Sequence, residues 1–141
     1  MNTEMFPLPL DVENLSDDSQ YHYKLLSDFS FIDPYLGLIT AKKDFLTDFA
    51  SVPRLFKSFV DSDNESAPGA TIHDWMYENH LEYGWTKEDA DLVLFRALIA
   101  NGISHEVATI FYDCVRYFGH NAWNSHKDVT PGPEILETNP V

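Results

Sequence analysis

Cysteine is almost absent from this sequence: Cys114 is the single one in 141 residues. One thiol cannot close an internal disulfide, and it excludes the zinc sites built on paired thiolates. Its neighbours Phe111, Val115 and Phe118 lead us to expect a small core residue there rather than a nucleophile. Basic residues are scarce too. Nine Lys and Arg stand against 23 Asp and Glu, a formal net charge of −14. A field of that sign repels phosphate backbones, so no nucleic-acid partner is expected for this chain alone. It suits divalent cations, basic protein surfaces or plain solubility. Long apolar runs are missing as well. No stretch approaches the roughly 20 residues that cross a bilayer, and Met1 to Leu10 has neither the basic start nor the apolar centre of a signal peptide. The expectation is a chain made in the cytoplasm with no membrane-spanning segment.

Aromatic residues, by contrast, make up 14% of the chain and hydrophobic residues 44%, which is the composition of a folded globule. The first 20 residues carry Pro7, Pro9 and the acidic pair Asp17-Asp18 with little periodicity, and read as an irregular arm or a strand against another surface. Tyr21 to Ile32 is aromatic-rich and partly alternating, which favours a strand. Asp33-Pro34 signals a turn before a second short strand from Tyr35 to Thr40. Val52 precedes Pro53 and is held extended, so Thr47 to Pro53 is a structured connection, and a short helix follows over Arg54 to Phe59. Asp61 to Ser66 reads as a loop. Pro68-Gly69 then opens a helix through Ala70 to Tyr77. Thr86 with Asp89 forms a capping-box variant for a helix reaching Asn101, and Gly102 is placed to end it in a left-handed conformation. Ser104 caps a third helix that runs to Phe118 with Val107, Phe111, Cys114 or Val115, and Phe118 on one stripe. From Asn124 onward the lack of pattern, with Thr130-Pro-Gly-Pro, reads as a tail ordered by a partner. Strands first and helices after give an α+β class: a small antiparallel N-terminal sheet or hairpin, then a bundle of three main helices. The organisation is an arm over 1–20, one domain over 21–123 and a tail over 124–141.

The residues that can carry chemistry gather around Ala70-Thr-Ile-His73-Asp74-Trp-Met-Tyr77. His73 and Tyr77, four apart, share a helix face, and Asp74 projects about 100° round from them. Asp91 stands on the same face as Phe95 and Leu98, a stripe that should point inward. A carboxylate there is costly unless paired, and His73 on the neighbouring helix is its natural partner. Such a pair reads in two ways. Asp91 orients His73 as a base that activates water, or the two merely tie helices together, with Arg116 as a further candidate partner. Asp48 and Ser51 sit in the constrained loop before the central helix. Asp48 and Asp74 could hold a divalent cation, calcium, or zinc if His73 joins them. Alternatively the loop's Asp and Ser cap backbone amides. Tyr112 and Arg116, four apart on the last helix, could close the polar cluster. His22, His80, His105, His120 and His126 show no ligand spacing.

Taken in order, Thr47-Asp-Phe-Ala-Ser-Val-Pro53, His73-Asp-Trp-Met-Tyr77, Ala90-Asp91 with Phe95, and Tyr112 through Arg116 to Gly119 and Trp123 resemble the domain-of-unknown-function family 1353 over about Leu25 to Trp123. That family occurs mainly in tailed bacteriophages and prophages. The resemblance implies a phage protein, with other phage structural proteins as partners, synthesis in the infected cell's cytoplasm and incorporation into the virion. A weaker similarity, to the prokaryotic branch of secretory phospholipase A-two, lies in the His-Asp-x-x-Tyr helix, the helix with Asp then Phe, and the Tyr-x-x-Val-Arg-x-Phe-Gly stretch. It implies His73 as general base, Asp91 as its orienting partner and Asp74 as a calcium ligand. Two expectations follow: a tail or hub component with a buried His-Asp cluster, or a small metal-dependent hydrolase acting on lipid ester or cell-wall material.

Overall fold

The computed structural model describes residues 2–15, 23–47 and 65–129, with the backbone alone for 126–129. Strand β1 (Val12–Asn14), β2 (Tyr23–Leu25), β3 (Phe29–Asp33), β4 (Gly37–Ala41) and β5 (Leu46–Thr47) come first. Helices α1 (Ala67–Tyr83), α2 (Lys87–Ala100), α3 (His105–Phe118) and α4 (His120–Val129) follow. The class is α+β, with small antiparallel sheets preceding a bundle whose three long helices are α1 to α3. A bend at Leu26-Ser27 splits the single strand expected over Tyr21 to Ile32 into β2 and β3. β2 pairs antiparallel with β1 on one side and β5 on the other, Tyr23 lying opposite Thr47.

β3 and β4 form a hairpin in which Phe29 faces Ala41 and Phe31 faces Ile39. Alternation sends these four side chains to the core, large against small. Ser30 and Thr40, the pair between them, join their hydroxyls at 2.8 Å. Asp33 shapes the turn by accepting from the backbone N–H groups of Tyr35 and Leu36, and Gly37 closes it at φ 82°, where a side chain would be strained. The stretch before residue 20 contributes more than an arm. Phe6 is buried and stacks on Phe29 and Phe31 with ring centroids at 5.5 and 4.8 Å.

α1 is the centre of the molecule. Every residue from Pro68 to Tyr77 is buried, because the hairpin, α2 and α4 all pack against it. Gly69 permits the closest approach to α2: a Cβ there would lie 3.3 Å from the Ala97 Cβ. The capping box expected at Thr86 is formed in both directions, Thr86 Oγ1 accepting from the Asp89 N–H and Asp89 from the Thr86 N–H. Ser104 caps α3 by accepting from the Val107 N–H, and Gly102 takes φ 90°.

Two expectations about α3 are corrected. Its buried stripe is Ala108, Phe111 and Val115, while Phe118 is 64% exposed and Cys114 only half-buried. The stripe drawn through Phe118 follows the spacing from Phe111 by sevens. On a straight helix seven residues fall about 20° short of two full turns, and at the end of α3 it is Gly119, not Phe118, that lies against Tyr77 and Lys87. The regular structure also runs past Asn124, to Val129 in α4. Trp123 explains why so polar a segment is helical, since its ring packs edge-on to Tyr77 at 5.0 Å and stacks on His80 at 3.6 Å. The short helix expected over Arg54 to Phe59 lies outside the described residues.

Candidate functional site

A helix buried throughout Pro68 to Tyr77 must satisfy each polar side chain it carries there. Thr71 on α1 does so locally, donating its hydroxyl to the Ala67 carbonyl at 2.8 Å. Asp74 accepts the hydroxyl of Thr47, which tethers α1 to the end of β5. His73 and Tyr77 turn the other way, toward α2, where both reach one oxygen of Asp91. Nε2 of His73 lies 2.8 Å from Asp91 Oδ1, and the Tyr77 hydroxyl donates to the same oxygen at 2.6 Å. The histidine and tyrosine rings lie against each other with centroids 4.3 Å apart. Oδ2 of Asp91 is taken by two cations: Lys87 Nζ at 2.9 Å and Arg116 Nη1 at 3.1 Å.

Asp91 therefore has four side-chain partners drawn from three helices: His73 and Tyr77 of α1, Lys87 of α2 and Arg116 of α3. Both His73 and Asp91 are 0% exposed. Lys87 extends the network, since Nζ also donates to the carbonyls of Val115 and Arg116 at 2.8 and 3.3 Å. Those carbonyls belong to the last turn of α3, whose dipole favours a cation there. Gly119 completes the wall: a Cβ at that position would stand 2.4 Å from the Val115 carbonyl and 2.7 Å from the Tyr77 hydroxyl.

The electrostatics follow from the geometry. Burial alone would push the Asp91 carboxyl up, but hydrogen bonding and charge from His73, then the hydrogen bonds of Tyr77 and Lys87, outweigh it and hold the group at about 2. Burial, and the carboxylate it donates to, push the Tyr77 phenol far above its ordinary range. The site at neutral pH thus holds a carboxylate and a neutral phenol, locked by two cations.

Residues 23–125 match the family described as protein of unknown function (DUF1353). This chain belongs to the DUF1353 family. A further relative is the uncharacterized protein y4iH of Sinorhizobium fredii (strain NBRC 101917 / NGR234), 30% identical over 100 residues that make up 70% of this chain and 41% of that protein. The DUF1353 chain thus spans less than half the length of that relative. No solved structure matches it.

Within this DUF1353 protein, the residues singled out in the sequence divide into three groups. His73, Asp91, Tyr77 and Arg116 come together as one hydrogen-bonded cluster. Asp74 lies on the next face of α1, held by Thr47 rather than by the cluster. Tyr112 does not close the cluster: its ring packs edge-on to Phe95 at 6.2 Å, one turn short of Arg116 and on the Phe95 side of α3. Asp48 and Ser51 lie outside the described residues. Among the described residues no three His, Cys, Asp or Glu side chains are arranged to hold a metal ion; the cation site expected around Asp74 includes Asp48, which lies outside them.

Three participants escaped the sequence reading. Lys87 looks like a solvated lysine at a helix start, yet its i,i+4 spacing to Asp91 carried the signal. Thr47 begins the Thr-Asp-Phe-Ala-Ser-Val-Pro motif, and its hydroxyl was passed over for the carboxylate beside it. Gly119 looked like a simple helix end. No helix among the described residues is long and apolar enough to cross a membrane.

Proposed function

We propose that this chain is a structural or assembly component of a tailed-bacteriophage particle, part of the tail or its hub, and that the His73–Asp91 cluster serves as a clamp on its helices. The observation carrying the clamp is the saturation of Asp91 by four donors from three helices, with His73 and Asp91 at 0% exposure. A general base must touch water or substrate; a side chain sealed in this way instead adds rigidity. The particle assignment draws on the phage context implied by the Thr47–Pro53 and His73–Tyr77 motifs. Its partners would be other phage structural proteins, met after synthesis in the infected cell's cytoplasm. The test is purification of particles from cells infected by a phage encoding this chain. Stoichiometric retention through a density gradient is expected, and its absence from the particle would refute the assignment.

One observation favours a second reading. The 2.8 Å contact between His73 and Asp91 is the arrangement in which a carboxylate orients an imidazole for hydrolysis. In that reading the chain is a small hydrolase of lipid ester or cell-wall material, with Asp74 and Asp48 as metal ligands. Calorimetric titration of chelator-treated protein with calcium, zinc and manganese, beside Asp74→Asn, separates the two. Micromolar binding lost in the variant, together with turnover lost in a folded His73→Ala, would establish the hydrolase.

A further inference from the structure

The third helix is apolar on both sides. Ala108, Phe111 and Val115 face the core, and about 180° round the helix stand Ile110 and Tyr117, with Cys114 and Phe118 along one margin. Ile110 is 51% exposed, Tyr117 76% and Phe118 64%. Glu106 and Asp113, both exposed, run along the opposite margin. Among the described residues no Lys or Arg is paired with either. Lys87 and Arg116 are drawn inward onto Asp91, and Arg96 is drawn onto Asp33. The cations of α1 to α3 are thus spent on internal pairs, and the outer face of α3 presents an aromatic-aliphatic stripe beside carboxylates, on a chain of net charge −14.

We propose that the outer face of α3, centred on Ile110 and Tyr117, docks a partner protein whose contact surface is apolar at its centre and rich in Lys and Arg at its rim. Apolar stripes of this kind rimmed by polar residues mark protein interfaces, and aromatic anchors with charge complementarity supply affinity and steering. A second copy of this chain brings the same carboxylates face to face, and an anionic membrane surface repels them. The proposal deepens the assembly reading and rests on it for the partner's origin, though the surface chemistry can be tested without any particle.

The probe is a synthetic amphipathic helical peptide with Leu and Trp on one face and Lys on the other, labelled for fluorescence anisotropy. A control peptide carries Glu in place of Lys. Saturable binding of the Lys peptide is expected, weakened by salt, with the Glu peptide at least about tenfold weaker. Tyr117→Lys and Ile110→Lys should each lower affinity about tenfold or more with unchanged thermal midpoints, since both side chains are exposed. Cys114, the chain's single cysteine, lies in the stripe, so bound peptide should slow its alkylation several-fold. Equal binding of both peptides, or affinity indifferent to Tyr117→Lys, would overturn the proposal. So would sedimentation showing a dimer that Tyr117→Lys dissociates, because the face would then belong to a second copy. Absence from purified particles with the peptide result intact would overturn the particle assignment alone.

Discussion

Replacing Asp91 by asparagine removes one charge from the middle of the bundle while leaving the side chain's size almost unchanged. Lys87, 10% exposed at its side chain, and Arg116, 35% exposed, then face an amide instead of a carboxylate. Removing one partner of a buried ion pair costs about 3–5 kcal/mol. Arg116 can recover some water and asparagine keeps one acceptor oxygen, so the lower end, about 3 kcal/mol, is the expected loss. That is a large share of the roughly 5–15 kcal/mol that holds a domain together. The pH dependence offers an independent route to the same quantity. Asp91 falls from an ordinary 3.8 to about 2 in the folded protein, which corresponds to roughly 2 kcal/mol of stabilisation by the ionised form. A depressed carboxyl of this kind contributes fully above its unfolded value and loses its contribution as pH falls through its folded value. The window is therefore about pH 4 down to about pH 2. Urea unfolding, followed by far-ultraviolet circular dichroism and tryptophan fluorescence, measures both quantities. The variant should be about 3 kcal/mol less stable at neutral pH, and the gap should shrink by roughly 2 kcal/mol across that window. A neutral-pH gap within about 0.5 kcal/mol, the range of an ordinary surface change, or a gap that ignores acidification, would refute the argument that Asp91 holds the helices.

Three further outcomes follow from the same geometry. Gly119→Ala should lower stability by about 1–3 kcal/mol in urea unfolding, because its methyl group meets the Val115 carbonyl and the Tyr77 hydroxyl. Arg96→Met should cost about 2–4 kcal/mol and speed amide exchange in the β3–β4 hairpin first, since it strands Asp33, whose side chain is buried and held by Arg96 at 2.7 Å. Thr86→Ala removes one half of the capping box and should lower the thermal midpoint by a few degrees, equivalent to about 1 kcal/mol.

The parts of the fold legible in the sequence are those governed by local chemistry. Thr86, Ser104 and Gly102 mark their helix ends because capping and left-handed backbone depend on a few adjacent residues. The His73–Asp91 contact was legible for a different reason: a carboxylate on an apolar stripe needs a partner, and few candidates exist. What stayed hidden depended on distance along the chain. Asp33 looked fully used as a turn residue, and nothing local tied it to Arg96, 63 positions away, whose guanidinium also lies over the Tyr35 ring at 4.7 Å. α4 was hidden because its own residues favour helix weakly, and only the packing of Trp123 on Tyr77 and His80 compensates. Phe118 is misplaced because spacing alone does not say which side of the last turn the neighbours cover, and they cover the side of Gly119.

The central claim is that His73 sits in a sealed clamp, and chemical modification with diethyl pyrocarbonate, read by mass spectrometry, tests it most directly. His105 and His120 are exposed and serve as internal references. Under native conditions His73 should stay unmodified while those two react, and it should become reactive only as the whole domain unfolds. Modification of His73 in the folded protein at a rate near that of His105 would contradict the account, because the imidazole would then be open to solvent and free to act on it.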